Sequence, residues 1–151
     1  MGTPVMTIYG AFHEHIAKGT IDLDSDTFKC ALVTSSYTPV ADTHTVWADA
    51  SANEIAAGAG YSAGGLALTS VTVTRSGHTV TFDADDLVWT ATGGIIPAFR
   101  YCVMYKAGTA NAIVNPLVLY VLVDNTPADI PATQNTAKLT GVWNPSGVFT
   151  L

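Results

Sequence analysis

From Leu66 to Trp89 apolar and polar positions alternate with a period of two. Val71 and Val73 are separated by threonines, Arg75-Ser76-Gly77-His78 interrupts, and Val80, Phe82 and Ala84 resume the alternation, which is the spacing of a half-buried strand pair. The pattern predicts a hairpin. With Ser76-Gly77 as the two-residue loop, Arg75 lies opposite His78, Val73 opposite Val80 and Val71 opposite Phe82, so the apolar residues share one face and threonines cover the other. Burial on one side only requires a second sheet to pack on.

Elsewhere the period changes. Val5, Ile8, Tyr9, Phe12 and Ile16 recur at helical spacing, predicting an N-terminal helical segment over 1–19 with Thr3 as N-cap, Pro4 in the first turn and Gly19 as stop. Its apolar stripe is narrow and Gly10 weakens it by about 1 kcal/mol relative to Ala, so it needs a surface to dock on. From Thr27 the period returns to two, with Phe28, Cys30 and Leu32 on one side of a strand and Lys29, Ala31 and Val33 on the other. Tyr37 to Asn53 reads as a long polar loop around His44 and Trp47, and Ser51 to Glu54 has capping-box spacing ahead of Ile55. Four glycines around Tyr61 between Ala56 and Gly65 mark a turn region. Leu87 to Ala91 and Ala98 to Lys106 read as strands, and Leu117 to Val123, apolar on both faces, belongs in the middle of a sheet. Asn125 to Asn135, with Pro127 and Pro131, is a loop. Ala137 to Trp143 and Val148 to Leu151 are expected to close the chain as short strands around an Asn144-Pro145-Ser146-Gly147 turn.

About eight strands without regular strand–helix alternation predict a mainly β protein. The expected architecture is a single β-sandwich or jelly-roll-like domain over 1–151 with one N-terminal helix, a partly open barrel being the alternative. The chain of 151 residues is long enough to bury a core without metals or disulfides. Cys30 and Cys102 both fall in strand-like segments and are read as buried thiols.

Composition narrows the function classes. Apolar residues make up 48% and charged residues 12%, about half the usual charged fraction, so much of the exterior must be Thr, Ser, Ala, Gly and Asn. Such a surface solvates weakly and favours lasting contact with neighbours. Net charge is −6 and the six basic residues are scattered singly, which argues against nucleic acid as a partner. The start, Met1-Gly2-Thr3-Pro4-Val5-Met6, lacks the basic and apolar regions of a secretory signal, and the longest apolar run is too short to span a bilayer, so no membrane partner is expected.

Candidate chemistry is sparse. Gly60-Tyr61-Ser62-Ala63-Gly64 matches a nucleophile-elbow pattern, but it follows glycines rather than a buried strand, and His78 is the only later histidine, with no carboxylate between. Asp22, Asp24 and Asp26 alternate as in a calcium loop, yet Thr27 stands where the loop needs Gly and Val33 where it needs Glu. Asp83, Asp85 and Asp86 form an acidic bend read as solvated. His13 and His15 diverge by about 200° on a helix and cannot easily share a zinc ion. No catalytic residue, metal ligand or cofactor is therefore assigned, and no enzyme activity is expected. Of the three tryptophans, Trp47 reads as the exposed one.

The segment Ile21 to Thr34, with Tyr37-Thr38-Pro39, Asp42-Thr43-His44 and Trp47, then Gly60 to Gly65, Phe82 to Asp86 and Trp89, resembles small virion structural proteins of tailed bacteriophages. The resemblance covers most of the chain and implies a β-rich capsid cement or decoration subunit on the outer surface of the major capsid lattice. Its implied partners are the major capsid protein and further copies of itself, as a dimer or trimer, and its implied place is the virion, after synthesis in the host cytoplasm. Expected contact residues are Phe12 and Ile16 on the helix, His44 and Trp47 in the long loop, and Tyr61. A carbohydrate- or receptor-binding module of a head or tail fibre, with Trp47 and Tyr61 stacking on sugar rings, is one alternative. A tail or neck subunit is another.

Overall fold

The computed structural model describes residues 1–126 and 128–151. Pro127, placed above in a loop, lies outside the described residues. The described elements are β1 (Val5–Ile8), α1 (Gly10–Ala17), β2 (Phe28–Val33), α2 (Ala48–Ser51), β3 (Leu66–Ala67), β4 (Thr72–Ser76), β5 (Thr79–Asp83), β6 (Leu87–Thr90), β7 (Tyr101–Lys106), β8 (Thr109–Ala110), β9 (Ile113–Val114), β10 (Leu117–Leu122), β11 (Lys138–Gly141) and β12 (Phe149–Thr150). The fold is mainly antiparallel β with one eight-residue helix and a single helical turn.

One large sheet carries the architecture, in the order β1-β10-β7-β2-β3. The second layer is made of two smaller sheets, β12-β5-β4 and β11-β6, and β8 and β9 form a separate hairpin. The layers meet through a core in which Phe28, Cys30, Leu32 and Met104 of the large sheet pack with Phe82, Leu87, Trp89 and Phe149. Phe28 and Phe82 cross edge to face with ring centroids 5.4 Å apart, a favoured aromatic geometry. The arrangement is sandwich-like.

The other face of the large sheet is buried too. Ala31, Val33, Val103, Tyr105 and Leu117 point away from the small sheets and are covered by Tyr9, Tyr37, Trp47 and Ala50, which is why β2 and β10 are apolar on both sides. A bulge between Leu117 and Leu119 sets Val118 and Leu119 together against the inter-layer core, as an extra residue in one strand does.

Four local expectations are corrected. The β4–β5 hairpin forms, but Val73 pairs with Phe82 and Ser76 with Thr79, so the loop is Gly77-His78. Gly77 has φ +60 and occupies the first central position, where a II′ turn requires glycine; the register moves by an even number of residues and the faces survive. The N-terminal segment divides: Val5 to Ile8 is a strand paired with Leu122 to Leu119, and the helix begins only at Gly10, because a free sheet edge satisfies backbone groups that a first helical turn leaves open. Ser51 ends a helical turn rather than capping one; the Asp49 carboxylate accepts the Thr45 and Val46 N–H groups from within that turn. The last two strands do not pair with each other, since β11 joins β6 and β12 joins β5.

Close approach fixes Gly65. A Cβ on Gly65, at φ +76, would lie 1.9 Å from the Cys30 carbonyl oxygen. Gly65→Ala is expected to cost at least ~3 kcal/mol in urea unfolding, against about 1 kcal/mol for Gly77→Ala, where the added Cβ meets nothing. Equal costs at the two positions would contradict this packing.

Candidate functional site

The five nominated contact residues are placed as follows. Phe12, on α1, is 0% exposed and packs edge to face on Phe149 at 5.6 Å; Ile16, one turn on, is half-buried against the same core. Trp47 is 8% exposed and lies flat on Tyr105, with centroids 4.9 Å apart and planes 9° from parallel. Tyr61 is 2% exposed. His44 is half-buried and stacked on Tyr37. The expectation that Phe12, Trp47 and Tyr61 present surface to a partner is corrected: each fills its own chain's core. Trp47 was misread because the loop around it is polar, yet that loop folds back as the lid on an apolar sheet face.

Two hydrogen-bonded knots hold this lid and the glycine turn. In the first, Tyr9 Oη lies 2.8 Å from Tyr37 Oη, which lies 2.8 Å from His44 Nδ1. The Val40 N–H, able only to donate, also points at Nδ1, so Nδ1 accepts and the hydroxyl protons run from Tyr9 to Tyr37 to His44. In the second, Glu54 Oε1 accepts the Tyr61 hydroxyl at 2.7 Å and the Gly64 N–H at 2.6 Å. The Leu32 N–H donates to the Tyr61 hydroxyl oxygen, and the Tyr105 hydroxyl donates to the Gly64 carbonyl. The Gly60 to Gly65 segment is thereby clamped to β2 and β7, with Ser62 exposed in a turn closed by Gly65 N–H on its carbonyl. Glu54, whose spacing from Ser51 suggests a capping box, instead clamps the glycine turn, a role set by residues seven and ten positions on that local spacing does not signal.

The other polar candidates are engaged locally. Asp85 Oδ2 accepts the Ser70 and Thr69 hydroxyls, Asp86 Oδ1 accepts the Trp143 N–H, and Asp83 Oδ1 accepts the Ala84 N–H. Asp22 and Asp26 accept backbone N–H groups of their own turn, and Lys106 Nζ lies 3.5 Å from Asp26. His13 is exposed while His15 is buried, so α1 separates them. Among the described residues no group of three or more His, Cys, Asp or Glu side chains is arranged to hold a metal ion. Both cysteines are free thiols, Cys30 buried and Cys102 half-buried; burial, with the Cys102 thiol alongside, pushes the Cys30 thiol well up.

The outer face of the second layer is lined with hydroxyls. On β12-β5-β4 the outward residues are Thr150, Thr79, Thr81, Thr72, Thr74 and Ser76, with Asp83 opposite Thr72. Among the described residues no helix is long and apolar enough to cross a membrane. Comparison with protein-family models, with curated proteins and with solved structures finds no match to this chain.

The knots make stability sensitive to alkali. Burial and the hydrogen bond with Tyr37 push Tyr9 up, burial and the bond to Glu54 push Tyr61 up, and burial with the Glu54 charge pushes Tyr105 up to about 12. An unfolded tyrosine ionises near pH 10, so the contribution of these groups is complete below about pH 10 and drains as pH rises toward 12. Urea midpoints are expected to hold to about pH 10 and then fall, with the tyrosinate absorbance of these residues appearing in step with unfolding. Their ionisation near pH 10 in the still-folded protein would contradict the assignment.

Proposed function

We propose that this chain is a structural virion subunit of a tailed phage, a capsid cement or decoration protein that binds the outer surface of the major capsid lattice as a homo-oligomer, dimer or trimer. Its place is the virion surface, reached after synthesis in the host cytoplasm. The observation that carries the reading is the outward face of β12-β5-β4, five threonines and a serine with Asp83 the one charge beside them. Hydroxyls and methyls displace water at far lower cost than charged groups and can hydrogen-bond across a contact. A contact of modest area, repeated over a shell, gains strength by copy number. The likeness of Ile21 to Thr34 and of the Gly60 to Gly65 turn to small phage virion proteins supports the same role.

The contact surface is thereby moved from the helix and loop, whose aromatic residues are committed to the core, to the sheet layer opposite. The carbohydrate-binding alternative loses its platform for the same reason, since Trp47 and Tyr61 have no free ring face to offer.

The test is cosedimentation of the purified subunit with shells of the phage that carries it. Thr74→Glu combined with Thr79→Glu places two carboxylates on the exposed hydroxyl face, where substitutions change stability by only about 0.5 kcal/mol. Shell binding is expected to weaken by at least about tenfold, corresponding to about 1.4 kcal/mol, with the thermal midpoint nearly unchanged. Parent-like binding by the double variant would remove this face from the proposal, and an unvaried subunit that ignores the shells would remove the function.

A further inference from the structure

At the edge bounded by β1 and β11 the two layers do not fill the space between them. A cavity of about 570 Å3 lies there. Its floor is one transverse row of side chains, Met6, Val121, Cys102 and Leu32, which stand opposite one another across β1, β10, β7 and β2. Its roof is two rows from the facing pair, Trp89 with Leu139 and Leu87 with Gly141. Four strands make three spacings of about 4.8 Å, so the cleft runs about 14 Å inward from the free edge of β1. It ends against Leu32, 1% exposed, and Trp89, 3% exposed.

The opening has a local cause. Gly141 faces inward opposite Leu87 and brings no side chain, while Cys102 and Val121 below it are short. The mouth is flanked by Val142, 70% exposed, and by Trp143. Trp143 is fixed by its N–H on the Asp86 carboxylate and its indole N–H on the Asp85 carbonyl. Among the described residues no Asp, Glu, Lys, Arg or His side chain lines the cleft; Met1, 96% exposed, brings the chain's α-ammonium to its lining. At the cleft, among the described residues, one buried donor has no partner: Nε1 of Trp89, whose ring forms part of the wall, whereas buried polar groups are as a rule satisfied.

We propose that this cleft is a binding site for an uncharged, predominantly apolar small molecule, an aromatic ring system or a short acyl chain. The volume falls within the roughly 300–1,000 Å3 of ligand pockets, which are typically apolar with few polar groups. The absence of charged side chains among the described lining residues disfavours an ionic ligand in its depth, where it would surrender its hydration without a counter-charge. Depth separates this occupant from a protein strand. A strand added to β1 would run along the sheet edge and occupy only the mouth, whereas the cleft crosses four strands at right angles to that direction. A carbonyl or ether oxygen on the ligand would accept the hydrogen bond that Trp89 Nε1–H has free to donate. The site is independent of the threonine face and of the virion reading.

The probe is N-phenyl-naphthylamine, neutral and fluorescent in apolar surroundings, titrated into the purified full chain. Saturable binding of one probe per chain with quenching of tryptophan emission is expected. Gly141→Ile fills the cleft without backbone strain, because a Cβ there makes only ordinary contact, 3.6 Å from the Leu87 Cβ and 3.9 Å from Trp89 Cζ3; it is expected to weaken the probe by at least about tenfold without lowering the thermal midpoint. The parent protein supplies a second readout: saturating probe should slow alkylation of Cys102, on the floor, by about tenfold. Absence of saturable binding, or alkylation of Cys102 indifferent to the probe, overturns the site. So does a parent chain that self-associates and becomes monomeric on Gly141→Ile, which would make the cleft a contact between copies.

Discussion

The structure depends on the burial of both faces of the β10-β7-β2 triplet. These three strands sit inside the large sheet, their backbone groups are paired on both sides, and their side chains alternate between two separate apolar clusters. A sheet in that position cannot leave either face to water without exposing a row of large apolar groups, so each face must find a cover. The small sheets cover one. The Thr34 to Asn53 loop covers the other, which obliges a segment of polar composition to lie flat and deliver Tyr37, Trp47 and Ala50 inward.

That second cover explains the tyrosines. A loop laid over an apolar sheet brings hydroxyls and backbone groups into a place where water cannot serve them, and each must be paired. Tyr9, Tyr37 and His44 form one such chain under the lid, while Tyr61, packed in the inter-layer core, joins Glu54, Gly64 and Tyr105 in another. Their work is positional: they hold the lid and the glycine turn where the core needs them. Residues that look like candidates for recognition, an isolated tryptophan and a tyrosine among glycines, are therefore bound into the interior.

The two layers close unequally. Toward β4 and β12 large aromatics fill the gap, with Phe82 stacked on Phe149 at 5.0 Å; toward β11 a glycine and short side chains leave it open. Packing complete at one edge and incomplete at the other leaves the molecule with a closed side and a recess.

The amino-acid sequence by itself determined the period and the sidedness of most elements. Val71, Val73, Val80 and Phe82 share a face, β2 and β10 are apolar on both sides, and threonines line the outside, because alternation along a strand is local stereochemistry and is written in adjacent residues. Only the tertiary structure decided which strands pair, that Val5 to Ile8 joins the sheet instead of the helix, that β11 and β12 part to different neighbours, and that Trp47 turns inward. Those outcomes rest on contacts between residues tens of positions apart, such as Met6 with Val121 or Leu139 with Trp89, whose free energy comes from burial and backbone pairing that no short stretch of chain contains.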